Sequence, residues 1–151
     1  MMTKSVKVLV IDDIHGDVTV ITRALQHSKL DYLVVKESSD AVEAARNYQP
    51  DVILLDLDTP KTSGYQVLEA IRKDPETKGI EVVQIAASDN LKDLLVSVRV
   101  QVADYIVKPI KISLLLERIR TIAMCRKMSE LTSEFQHNAQ KLASKYSSCT
   151  H

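Results

Sequence analysis

The sequence has no excess charge of either sign: Lys+Arg and Asp+Glu number 20 each. A domain that grips nucleic acid, or an anionic membrane surface, carries a basic excess that releases counterions and steers approach. Its absence here argues against direct nucleic-acid binding. Cysteine is nearly missing. Cys125 and Cys149 stand far apart, without C-x-x-C or metal-ligand spacing. That excludes a disulfide framework and a zinc site, and it predicts free thiols in a cytoplasmic protein. His15, His27, His137 and His151 share no metal-binding spacing either. No apolar run is long enough to span a bilayer. The start, MMTKSVKVLVIDD, is interrupted by Lys7, ends in two aspartates and lacks a signal-peptide cleavage pattern, so no membrane insertion is expected. There is no P-loop, no G-x-S-x-G and no G-x-G-x-x-G. Internal repeats and low-complexity segments are also missing.

What is present is a chain of 151 residues with 45% apolar content, enough for one domain with a sizeable core. Val52-Ile53-Leu54-Leu55, bounded by Pro50 and Pro60, is an unbroken apolar run that suits a strand buried on both faces. Similar runs at 6–11, 32–35, 80–87 and 103–107 read as strands. The segments between them carry apolar residues at helical spacing: Val18, Ile21 and Leu25 in the first, then AVEAARNY after the capping candidates Ser38, Ser39 and Asp40, then Val67, Leu68 and Ile71. Gly79 is expected to turn the third helix into the fourth strand, and a weaker helix is expected over 90–100. Strand alternating with helix predicts an α/β fold, a parallel sheet with helices on both faces.

In such a sheet, chemistry collects just outside the carboxyl ends of the strands. Strand one ends in Asp12-Asp13, strand three in Asp56, and strand five in Lys108-Pro109. Crowded carboxylates repel one another and call for a cation, and a hard oxygen-seeking ion, Mg²⁺, suits them. A lysine opposite completes a site for a phosphoryl group, with Asp56 as the nucleophile. Taken alone, Asp56 reads equally well as a turn or capping aspartate.

Asp12-Asp13, Asp56, Pro60, Gly64, Tyr105 and Lys108-Pro109, in this order and spacing, resemble the receiver domain of two-component response regulators over about Lys4 to Arg120. The resemblance implies a flavodoxin-like five-stranded sheet in the order 2-1-3-4-5. It implies a phosphoprotein of phosphorelay signal transduction, phosphorylated on Asp56 by a histidine kinase or a histidine phosphotransfer protein. It makes Asp12, Asp13, Asp56 and the main-chain carbonyl of Asp58 the Mg²⁺ site, and Lys108 the contact to the phosphoryl group. It makes Tyr105 the switch aromatic and the bond before Pro109 cis. The module would not be an enzyme beyond its own phosphorylation and dephosphorylation. One departure stands out. Where the family places Thr or Ser at the end of strand four, this sequence has Ala86, with Ser88 two residues on. Alanine offers no hydroxyl to a phosphoryl oxygen, so weak or rerouted switching is expected.

Two other functions fit parts of the pattern. A pseudo-receiver would keep the fold and bind a partner with its site idle, a reading Ala86 keeps open. A phosphatase of the haloacid-dehalogenase type would use Asp56-Leu57-Asp58-Thr59, but its Thr belongs one position later and its motif belongs on the first strand.

The predicted division is a receiver domain over 4–122, a C-terminal helical extension over 123–146 and a disordered tail at 147–151. After Pro109 neither Gly nor Pro occurs through His151. Beyond the last receiver helix, Met124, Met128, Leu131, Phe135, Asn138 and Leu142 alternate steps of four and three, the seam of a coiled coil, and a parallel homodimer is the expected partner for it. No output domain follows in this sequence, so output through protein contacts or dimerisation is expected.

Overall fold

In the computed structural model, the described residues are 5–12, 15–56, 64–86 and 102–147. Five strands form one sheet: β1 Lys7–Ile11, β2 Asp31–Val35, β3 Val52–Asp56, β4 Glu81–Ala86 and β5 Asp104–Val107. The helices are α1 His15–His27, α2 Ala41–Tyr48, α3 Gly64–Lys73 and α4 Ile112–Ser147. All strand pairs are parallel and the order is β2-β1-β3-β4-β5. The helix expected over 90–100 lies outside the described residues, as do Asp13, Asp58, Thr59, Pro60 and Ser88.

Strand alternation divides the core in two. Leu9, Ile11, Ile53, Leu55 and Val82 point to one face and pack with Ala41 and Ala45 of α2 and with Val67, Leu68 and Ile71 of α3. Val8, Val10, Val52, Leu54, Val83, Ile85 and Ile106 point to the other face, where Ile21 and Leu25 of α1 and Leu115 and Ile119 of α4 meet them. β3 is therefore buried at all five positions, which is why its sequence is an apolar run and not an alternation. The edge strand β2 alternates between exposed and half-buried before its buried last residue.

The chain spends its few glycines sparingly at helix ends. After α1, the Leu30 N–H donates to the Leu25 carbonyl at 3.0 Å and the Lys29 N–H to that of Gln26 at 3.1 Å. This pair of bonds is a Schellman closure, and Lys29 holds the left-handed position (φ 57°) where glycine is favoured. Gln49 does the same after α2 (φ 51°), with its side-chain amide donating to the Arg46 carbonyl. At the start of α2, no side chain caps the helix. Ser38–Asp40 instead form a 3₁₀ turn that runs straight into it, so the three capping candidates serve as backbone. Gly79 lies in the turn before β4, as the sequence suggested: the Ile80 N–H donates to the Thr77 carbonyl at 3.0 Å, with Lys78 and Gly79 between them. Its φ is not positive, and Asp74 and Thr77 hold the start of the turn. The Asp74 carbonyl accepts from the N–H groups of Thr77 and Lys78, and the buried Thr77 hydroxyl donates to the Ile71 carbonyl at 2.7 Å. The Asp74 carboxylate also accepts from Arg46, tying α3 to α2.

Candidate functional site

Parallel sheets of this order reverse direction at β1, because the chain leaves β1 toward β2 on one side and later returns to β3 on the other. The crevice between the carboxyl ends of β1 and β3 is thus the place where no crossover covers the strand tips. Ile11 pairs with Leu55 across these strands. The next residues, Asp12 and Asp56, consequently stand at neighbouring tips, on strands roughly 5 Å apart. Both are acids in a dry place, 2% and 3% exposed respectively. The Asp12 N–H donates to the Val35 carbonyl at 3.2 Å, which fixes the tip of β1 to β2.

The cation comes from two strands away. Lys108 follows β5, and its backbone N–H donates to the Ala86 carbonyl at 2.8 Å, docking it on the end of β4. From there its side chain crosses β4 and places Nζ 2.8 Å from Asp56 Oδ2. The Lys108–Pro109 bond is cis. Ala86 is the last residue of β4 and is buried. Its methyl group brings no hydrogen-bonding atom to the strand tip between acid and lysine. Tyr105 is half-buried on β5, paired in register with Gln84.

The sequence-predicted acids are therefore brought together as far as the described residues reach: Asp12, Asp56 and Lys108 converge, and Ala86 stands beside them. Asp13 and Asp58 lie outside the described residues. Among those described, no three of His, Cys, Asp and Glu surround one point. The donor chemistry nonetheless fits Mg²⁺. Two nearly dry carboxylates at adjacent tips supply hard oxygens and an excess of negative charge over the single ammonium.

Two residues escaped the reading of the sequence. Gln84 is fully buried in the middle of β4; the polar residue inside the run VVQIA was its signal. Arg126 reaches back from α4 to the carbonyls of Pro50 and Asp51 at 3.1 and 3.3 Å, a contact of 75 and 76 residues' separation that no local pattern announces.

The response regulator receiver domain model matches residues 8–120. The chain belongs to the response regulator receiver family. PilH of Pseudomonas aeruginosa is 29% identical over 116 residues, which are 77% of this chain and 96% of that protein. The DNA-binding response regulator MtrA of Mycobacterium tuberculosis is 31% identical over 120 residues, 80% of this chain. PleD of Caulobacter vibrioides is 30% identical over 118 residues, 78% of this chain. The receiver spans 51% of MtrA and 26% of PleD, so it corresponds to part of each. Among solved structures, a CheY-like receiver domain of Methanospirillum hungatei superposes with a TM-score of 0.76 at 18% identity, over 83% of this chain and 99% of that one. The phosphorylated cyanobacterial phytochrome response regulator RcpA gives 0.65 at 32% identity, over 79% and 91%. The receiver domain of a Pseudomonas aeruginosa sensor histidine kinase, solved with a magnesium ion in its active-site cleft, gives 0.72 at 22% identity, over 80% and 98%. No helix among the described residues is long and apolar enough to cross a membrane.

Proposed function

We propose that this receiver is a phosphoacceptor module that takes a phosphoryl group on Asp56 from a histidine kinase or a histidine phosphotransfer protein, with Mg²⁺ bound. The observation that carries this reading is the Asp56–Lys108 pair: a buried carboxylate at the tip of the central strand with an ammonium 2.8 Å away. A carboxylate oxygen of Asp56 attacks phosphorus, the bond from phosphorus to the donor breaks, and the donor leaves with the bonding pair. The product is an acyl phosphate. Lys108 is already in place to neutralise charge on the phosphoryl oxygens as it leaves Asp56 Oδ2. Asp12 and Asp56, with Asp13 and the main-chain carbonyl of Asp58, would hold Mg²⁺. When bound, the ion offsets the charge of the acids and of the incoming phosphoryl group. The chain works as a signalling module and not as a turnover enzyme; its chemistry is confined to gaining and losing this group.

Ala86 sets the second part of the proposal. With no hydroxyl at the end of β4, the phosphoryl group gains no bond there, and its pull on the following loop and on Tyr105 is weak. Incubation with acetyl phosphate and Mg²⁺, followed by intact mass, tests the first part. One added phosphoryl group is expected, lost in Asp56→Asn. An unmodified wild type would instead support the pseudo-receiver, a binding module with an idle site. For the second part, a phosphate mimic should shift the Tyr105 ring resonances less in wild type than in Ala86→Thr. Equal shifts would refute it.

A further inference from the structure

The last helix packs on the receiver at one end and is exposed to solvent at the other. Leu115 and Ile119 are fully buried against the sheet, Ile122 packs beside them, and Arg126 hydrogen-bonds the carbonyls of Pro50 and Asp51. These four lie at steps of four, three and four, on one face. Every described side chain from Lys127 to Tyr146 is exposed. About 30 Å of helix therefore stands clear of the domain. A helix of that length in water has little stability of its own, yet it carries Met124, Met128, Leu131, Phe135 and Leu142 at 63, 61, 58, 74 and 55% exposure.

The phase of that stripe decides what can cover it. Met124 and Ile122 are two residues apart, as are Met128 and Arg126, which is about 200° around the helix. The apolar seam thus points away from the face that Arg126 clamps to the receiver. The face that α4 sets against the sheet therefore cannot cover the seam, and an occupant from another molecule fits it. Pairing these exposed side chains between two copies would remove on the order of 1,000 Å² from water, the size at which specific interfaces begin.

We propose that the occupant is a second copy of this chain, in parallel and in register. Flanking charge makes the choice. In the parallel arrangement Lys127, Glu134 and Lys141 face Thr132, Ala139 and Tyr146 of the second copy, so no like charges meet at these flanking positions; Lys145, at the end of the seam, is the one cation set against its own counterpart. Asn138 meets its own counterpart, and each amide gives and accepts a hydrogen bond. In the antiparallel register that overlaps the whole seam, Lys127 meets Lys141, Glu134 meets Glu134, and Asn138 is set against Met128. Sliding the antiparallel pair by one heptad brings Glu134 beside a lysine but strips one end of the seam of its partners. Because Arg126 fixes the rotational phase of each helix, both receivers sit at the same end of the coil in a set orientation. This inference is independent of the chemistry at Asp56.

Light scattering on the full chain should give twice the 16.9 kDa chain mass. Phe135→Lys, a change at an exposed position, should weaken association roughly 30-fold or more while leaving the receiver's thermal unfolding unchanged. For orientation, Asn138→Cys in a Cys125→Ser, Cys149→Ser background should form a disulfide-linked dimer on mild oxidation. A wild type that is monomeric at about 100 µM, far above the concentration a specific pair requires, overturns the proposal. So does a trimer or tetramer. Cross-linking only between Asn138→Cys and Met128→Cys chains overturns the parallel arrangement.

Discussion

Replacing Lys108 by Met should destabilise the metal-free receiver, and the structure gives the size. Asp56 Oδ2 and Lys108 Nζ are 2.8 Å apart, with the lysine side chain 18% exposed and the aspartate side chain 1%. At an effective dielectric constant near 20, two unit charges at that distance attract by about 6 kcal/mol. Most of this is offset by the desolvation of both groups in forming the pair. Deleting the cation alone leaves the buried carboxylate without compensation, a loss of about 3–5 kcal/mol for a fully buried pair. The partial exposure of Lys108 lets water recover some of that, so about 2–3 kcal/mol is expected. For a chain of this size the shift in Tm is roughly 5–10 °C. Urea unfolding followed by circular dichroism, in chelator, measures it directly. Asp56→Asn with Lys108→Met completes a double-mutant cycle whose coupling term isolates the pair. Saturating Mg²⁺ should recover part of the loss, because the ion meets the same uncompensated charge. A Lys108→Met protein within about 0.5 kcal/mol of wild type in chelator, a difference typical of neutral surface changes, would refute the argument that the lysine holds the acid pocket together.

Three further outcomes follow from local geometry. Lys29→Gly should stabilise by about 1 kcal/mol, since a non-glycine residue pays for its left-handed backbone (φ 57°); chemical denaturation checks the sign. Gly79→Ala should stabilise by about 0.4–1 kcal/mol by restricting the unfolded chain, because φ is not positive there and an added Cβ meets nothing within 4 Å. The hydrogen bond from Arg46 holds the Asp74 carboxyl below its ordinary range. A carboxyl depressed in the folded state stabilises above its unfolded pKa, near 4, and loses that contribution as pH falls through the folded value. The stability gap between wild type and Asp74→Asn should therefore be present at pH 6–7 and close progressively below about pH 4.

The acid at the end of VILLD was legible because a strand covered on both faces has to be apolar until it reaches the rim, so the first charged residue marks the exit. The same logic exposed Asp12 and Lys108, and the order of the three along the chain pointed to the family. Ala86 was legible as a departure by position alone. Gln84 was harder. A glutamine inside a strand can face either way, and only the packing of the sheet put it fully inside. Gly79 marked the turn before β4 from the sequence, whereas the hydrogen bonds by which Asp74 and Thr77 hold that turn show only in the fold.

Sequence alone determined the alternation of strands and helices, the residues at the strand ends, and the four-and-three stripe of the last helix. All three are local periodicities, written into the chain wherever one face must avoid water. The meeting of Lys108 with Asp56 across β4 was decided in three dimensions, as was the 200° offset between the seam and the face that Arg126 pins. Both depend on which strand lies beside which and on how a helix docks. Those are long-range choices of packing, set by the fit of whole elements and not by the spacing of neighbours along the chain.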